Sequence, residues 1–296
     1  MIEVALLGAT ASGKSALAIE VAKKVGANIL SLDSLAIYKE VDIVSAKPTL
    51  QEQEDIKHFG LGILSIDSYF SASTFFEIYH KAKNISKQEG KHLIIVGGSS
   101  FYLKSMIEGL SARINPSKEN LHRVDMRLLD LEDAYQSIIK KDPSYARKIS
   151  KHDSYRIQKW YEIYYESGLC ASAYFLREEK EPVLKDVPIY DIMIDRDVLR
   201  ERISLRTSIM IARGLVDEVF ALEKKYTRKP NPMKAIGIVE SLSYLDGKID
   251  KKELQNLISI HTAQLAKRQE TFNKSQFPYI HKLLKQDLKE KLLSNF

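Results

Sequence analysis

The sequence predicts an α/β fold in which a parallel sheet flanked by helices is interrupted by an all-helical insertion. Three observations carry that prediction. Short β-rich apolar runs each lead through a small-residue turn into a helical pattern, a glycine loop separates the first run from the first helix, and the middle of the chain holds charged, Tyr-rich helical segments with no convincing strand. Alternation of strand and helix is the rhythm of a parallel sheet, because each parallel strand needs a crossover to reach the next.

In chain order, the strands are expected at Val4 to Leu7, Ile29 to Leu32, Leu93 to Val96 and Val187 to Ile194. Between the third and fourth, the pattern of HDSYRIQKWYEIYYESG argues for helices, so the core is expected over 1–114 and 181–296 and the insertion over 115–180. After Asp195, Leu199, Ile203 and Met210 fall on one helical stripe. Two more helices are expected around Ala235 to Leu245 and Lys251 to Phe272.

The 296 residues, 44% apolar and 28% charged, suit a soluble globular chain and exclude disorder as its main state. No apolar run approaches the roughly 18–20 residues needed to cross a bilayer. MIEVALLGATASGKS enters a strand without the features of a secretory signal, so a cytoplasmic protein with no membrane partner is expected, as a monomer. The single cysteine, Cys170, cannot form an internal disulfide or a thiolate cluster and reads as a packing residue. A net charge of +6 favours a polyanionic partner, although the excess is small for this length.

Gly8-Ala9-Thr10-Ala11-Ser12-Gly13-Lys14-Ser15 fits GxxxxGK[ST] between a strand and a helix, which makes the sheet P-loop NTPase-like. Glycines let the backbone curl so that successive N–H groups face phosphate oxygens, Lys14 adds a full charge, and the Ser15 hydroxyl suits Mg²⁺. Such a loop holds phosphates for hydrolysis, for phosphoryl transfer or as a leaving group, and the motif alone does not distinguish them. Asp33 follows the second strand at the carboxyl edge of the sheet, where open α/β folds build their sites. It can face the phosphates or cap the next turn. The third strand, HLIIVGGSS, ends in glycine and serine instead of the acid an ATPase uses to hold its metal, which weighs against hydrolysis. Gly97-Gly98-Ser99-Ser100 suits close backbone approach to a ligand or a plain strand-to-helix turn.

GATASGKSALAIEVAKK, LDSLAIYKEVDIVSAKPT, IIVGGSSFYLKSMIEGLS and TAQLAKRQETF together resemble the four signature blocks of the tRNA dimethylallyltransferases, or isopentenyl-tRNA transferases, over about Val4 to Phe272. The resemblance implies a dimethylallyl diphosphate donor, Mg²⁺, and as acceptor the adenosine at position 37 of tRNAs that read codons beginning with U. It implies that the loop from Gly8 to Ser15 holds the diphosphate, that Lys14 and Arg206 offset the leaving-group charge, and that Asp33 accepts a proton from the adenine amino group. Arg202, one turn before Arg206, is placed to assist. Contacts to the tRNA anticodon arm are implied at Asp33, Ser34, Leu35, Ala36 and Ser99, at Tyr155, Arg156, Ile157, Gln158 and Lys159 in the insertion, and at Lys267 and Arg268. Read alone, YRIQKW is equally an amphipathic helix with Ile157, Trp160 and Tyr164 inward.

The chain departs from the family pattern at Ala9, Ser15, Ser99, Ile238 and Phe272, and Ala263 stands where many members carry an arginine, which puts one tRNA contact in doubt. No Cys or His cluster follows the core, so a bacterial type without a zinc finger is expected. Two rivals use the same loop. A small-molecule kinase would use Asp33 as base on a hydroxyl, with the insertion as lid, and an RNA-binding ATPase would only sense nucleotide. The motif also fits ATP, though not as a consumed cosubstrate.

Overall fold

The computed structural model describes residues 1–111, 114–177 and 180–296. They divide into a core unit, Met1–Ile107 with Val183–Phe296, and a second unit, Glu108–Pro182.

The core unit begins with β1 (Glu3–Leu7), α1 (Lys14–Val25), β2 (Ala27–Leu32), the short α2 (Leu50–Gln53), β3 (His58–Phe59), α3 (Ala72–Gln88), β4 (His92–Gly97) and α4 (Ser100–Glu108). Among the described residues six strands form one sheet in the order β3-β2-β4-β1-β5-β6, the last two strands being β5 (Ile189–Met193) and β6 (His281–Leu284). Every neighbouring pair is parallel. Alternate residues of one strand enter different cores: Ala5 and Leu7 join Leu30, Leu32, Leu93 and Ile95 on one face, while Val4 and Leu6 join Ile29, Ile94 and Val96 on the other. Burial on both faces explains why these strands read as continuous apolar runs.

Register places the site. Leu7 pairs with Gly97, and Leu32 pairs with the same Gly97. Consequently β1, β2 and β4 end level, and Gly8, Asp33 and Gly98 emerge side by side at the carboxyl edge. Gly97 permits this: a Cβ there would lie 2.1 Å from the Leu32 carbonyl oxygen.

In the second unit α5 (Lys118–Arg127), α6 (Leu131–Lys141), α7 (Pro143–Ala146), α8 (Ser154–Ser167) and α9 (Ala171–Arg177) surround a core of Val124, Ile138, Ile157, Trp160 and Tyr161. Asp142 ties them together, accepting the Trp160 indole N–H at 3.0 Å, the Ser172 N–H at 2.9 Å and the Tyr145 N–H at 3.1 Å. Cys170 packs at the edge of this core.

The chain then completes the core unit with α10 (Arg196–Ala212), α11 (Leu215–Tyr226), α12 (Ile238–Leu245), the 26-residue α13 (Lys251–Gln276) and α14 (Lys285–Leu293). Sequence reading overlooks β3, β6, α11 and α14. No helix among the described residues is long and apolar enough to cross a membrane.

Candidate active site

The glycine loop turns twice through left-handed backbone, at Ala11 (φ 62°) and at Gly13 (φ 90°), the cap residue of α1. Lacking a Cβ, Gly13 adopts that conformation without strain, whereas Ala11 does so at some energetic cost. The loop closes on itself, because the Ala9 carbonyl accepts both the Ser12 N–H at 3.2 Å and the Lys14 ammonium at 3.1 Å. Ser12 is buried, and its hydroxyl has no hydrogen-bond partner among the described residues. Burial, partly opposed by Asp33 and reinforced by Arg206, lowers the Lys14 ammonium to about 8. Burial likewise holds Arg206 below its ordinary range, opposed by Asp33. Two cations and a carboxylate therefore sense one another. From α10, Arg202 Nη1 reaches the Ser12 carbonyl at 3.3 Å.

Asp33 caps the following turn and also lines a cavity. Oδ1 caps the following turn, accepting the Leu35 N–H at 2.8 Å and the Ala36 N–H at 3.0 Å. Among the described residues Oδ2 has no hydrogen bond. Ser99 Oγ accepts the Ser34 N–H at 3.2 Å, joining this turn to the end of β4.

These groups converge on a cavity of about 480 Å³. Thr10, Lys14, Asp33, Ser34, Ser99, Arg206 and Arg268 supply its polar wall, and Leu35, Phe101, Tyr102, Met210, Ile236, Ile258, Leu265 and Phe272 its apolar one. A smaller pocket is lined by Lys14, Ser15, Asp33 and Arg206, and another of about 770 Å³ by Gly13, Lys14, Ser15, Arg202 and Arg206. Lys14 and Arg206 border all three. Such an arrangement can grip an anionic group at the loop, seat an apolar group beside it, and present a carboxylate to whatever attacks across the cavity.

Not every expected residue arrives there. Ala36 is buried and contributes its N–H to Asp33 instead of a surface to a ligand. Lys267 lines a separate groove of about 610 Å³ between α10 and α13 with Arg196 and Arg200. In the second unit, Ile157 lies wholly within the core and has no side-chain surface to offer RNA. Its neighbours stay accessible: Tyr155 is 67% exposed, Arg156 pairs with Asp153 at 2.5 Å, and Lys159 with Glu162 at 2.5 Å beside Gln158.

Three residues that sequence reading passes over also build the site. Glu218 on α11 accepts N–H groups of Asp42, Ile43 and Val44 at 3.0, 2.7 and 2.9 Å, anchoring the segment that brings Val44 and Ser45 to the cavity. Gln269 on α13 touches both Thr10 and Gly98. Asp191, buried in β5 beside Leu7, is pushed up mainly by burial, with Asn273 opposing as a hydrogen-bond donor at 3.4 Å. An acid inside the apolar run IYDIMID was a visible signal for it; the other two gave none.

A parallel sheet whose glycine loop feeds a helix, with cations and a carboxylate gathered at the carboxyl edge, defines the P-loop class of phosphate-handling enzymes. Within it, the family model described as IPP transferase matches residues 36–276, and the chain belongs to that family. It is 52% identical over 294 residues to a tRNA dimethylallyltransferase of Sulfurimonas denitrificans, covering 99% of both chains. It is 48% identical over 292 residues to one of a Sulfurovum species, covering 98% of this chain and 97% of the relative. Among solved structures, a tRNA delta(2)-isopentenylpyrophosphate transferase from Staphylococcus epidermidis superposes with a TM-score of 0.69 at 28% identity, covering 100% of this chain and 98% of the other. A eukaryotic dimethylallyltransferase acting on tRNA superposes with a TM-score of 0.84 at 25% identity, covering 97% of this chain and 75% of the other.

Proposed function

We propose that this protein transfers a dimethylallyl group from dimethylallyl diphosphate to N6 of adenosine 37, next to the anticodon, in tRNAs that read codons beginning with U. The observation that carries the reading is the convergence of the glycine loop, Lys14, Arg206 and the open oxygen of Asp33 on one cavity with an apolar wall. In the reaction N6 forms a bond to the allylic carbon as the carbon–oxygen bond to diphosphate breaks. The loop N–H groups, Lys14 and Arg206 stabilise the charge that collects on the departing diphosphate. The lone pair of N6 is delocalised into the ring, so Asp33 Oδ2, accepting its hydrogen, orients the amine and removes the proton as the bond forms. The apolar wall suits the five-carbon chain and excludes water that would otherwise compete.

Mg²⁺ fits the residues present. Ser15, exposed at the first turn of α1, offers a hydroxyl where phosphate oxygens would lie, and the described residues gather no cluster of three or more His, Cys, Asp or Glu. That donor set suits a cation that keeps most of its ligands as phosphate oxygens and water. When bound, it would neutralise part of the diphosphate charge.

The anticodon arm as the bound element of tRNA, a monomeric state, a cytoplasmic location and a role for the second unit in tRNA contact belong to the same proposal. The test is mass spectrometry of nucleosides from unmodified tRNA incubated with the protein, dimethylallyl diphosphate and Mg²⁺. A new N6-dimethylallyl adenosine supports the reading. Consumption of ATP with a small hydroxyl compound, and no prenylated nucleoside, would replace it with the kinase alternative.

A further inference from the structure

Gln269 projects from α13 with its carboxamide between two backbone groups from different halves of the site. Oε1 accepts the Thr10 N–H at 2.9 Å, and Nε2 donates to the Gly98 carbonyl at 3.0 Å. Gly98 leads directly to Ser99, whose Oγ accepts the Ser34 N–H at 3.2 Å, and Ser34 follows Asp33. A continuous path therefore joins the loop that would hold the diphosphate to the carboxylate that would take the proton.

The contact is built into the fold. A Cβ on Gly98 would lie 2.4 Å from Gln269 Nε2, so the approach depends on glycine at that position. The bridge also demands a side chain that donates at one end and accepts at the other. A primary amide does both, whereas a carboxylate would meet the Gly98 carbonyl oxygen with a second oxygen, and an ammonium would meet the Thr10 N–H with another donor.

We propose that Gln269 is a positioning residue for prenyl transfer: by tying Thr10 to Gly98 it sets the separation between the leaving group and Asp33. The inference rests on the functional reading above. Transfer requires the allylic carbon to be held by its diphosphate at one end while N6, oriented by Asp33, approaches at the other. A misplacement of about 1 Å between two such groups lowers a rate about 10²-fold.

The experiment compares wild type, Gln269→Met, Ser99→Ala and the double variant in single-turnover prenylation of unmodified tRNA, with KM for tRNA and donor and the melting temperature in parallel. Methionine keeps the length of the side chain and removes both hydrogen bonds. The expected result is a fall of about 10²-fold in kcat for Gln269→Met, with both KM values and the melting temperature little changed. The double variant should be no slower than the slower single one, because one path is broken only once. Wild-type kcat in Gln269→Met, a loss carried by KM alone, or single effects that multiply in the double variant would overturn the inference. Should Gln269→Met fold poorly, Gln269→Glu retains an acceptor for Thr10 and sets an oxygen against the Gly98 carbonyl in place of the donor; its kcat should also fall, and an unchanged rate overturns the inference. A wild-type protein that yields no prenylated nucleoside removes the functional reading and this inference together, an outcome seen before any variant is made.

Discussion

With Oδ1 of Asp33 committed to the Leu35 and Ala36 N–H groups, replacing the residue by asparagine leaves the turn its acceptor and removes the proton acceptor. Asp33→Asn should therefore lower the single-turnover rate by about 10²–10⁴-fold at an unchanged melting temperature. Asp33→Ala should lower both. An asparagine variant at full rate would sink the role of base. Lys14 sets the pH dependence. Its folded value of about 8 lies below the ordinary 10.5, so the unfolded chain holds the proton more tightly. Burial of the charge disfavours the folded state below pH 8, and that penalty lifts as pH rises from 8 towards 10.5. A bound diphosphate raises the ammonium again, so binding above pH 8 takes up a proton. Donor affinity should be flat below that pH and fall by up to about tenfold per unit above it. A titration of donor Kd between pH 7 and 9.5 checks this, and Lys14→Met should bind weakly and lose the slope.

At the scale of elements, the two glycines ending β4 separate fold from function. A Cβ on Gly97 would strike the Leu32 carbonyl oxygen, part of the paired backbone of β2, whereas one on Gly98 would strike the tip of the Gln269 side chain. Backbone in a sheet cannot yield, but a side chain can turn away. Gly97→Ala should thus destabilise by about 3 kcal/mol, read as a lowered denaturation midpoint. Gly98→Ala should leave the midpoint nearly intact and reduce the rate; equal losses of stability in both would contradict the distinction. The same contrast explains what the sequence made legible. β1, β2 and β4 are buried on both faces, and their apolar runs announce them, as the glycine loop announces the cradle. β3 is two residues long, and β6, His281–Leu284, lies at the sheet edge with little burial, so neither has a pattern to read. Glu218 and Gln269 act on backbone groups 174 or more and 171 or more positions away, and no local spacing records such contacts. Arg206 reads as an ordinary helix charge until family resemblance or the fold brings it beside Asp33.

For the whole molecule, the residues proposed to hold the donor lie within the core unit, while the second unit holds its own hydrophobic core and an accessible basic and aromatic strip on α8. Tyr155, Arg156 and Lys159 stay at the surface because Ile157, Trp160 and Tyr161 occupy the inward face of that helix. The ion pair of Arg156 with Asp153 lies at the surface, where such pairs contribute only about 0–1 kcal/mol, so it does not withdraw Arg156 from a partner, whereas Lys159 is half-exposed and pairs with the buried Glu162. A protein with a net charge of +6 has little general attraction to spare for RNA, so individual cations should count. The variant Arg156→Ala/Lys159→Ala is expected to weaken tRNA binding, to reduce the slope of log Kd against log salt by about one for each phosphate no longer neutralised, and to leave donor Kd unchanged, with some loss of melting temperature because buried Glu162 loses its cation. Ile157→Ala supplies the opposing case from the adjacent position. It opens a cavity in the core of the second unit and should destabilise that unit by about 2–5 kcal/mol without altering the salt slope. If instead the alanine pair left the salt slope intact, the strip would be a solvated helix face, and RNA binding would have to be sought on the Arg196, Arg200 and Lys267 groove of the core.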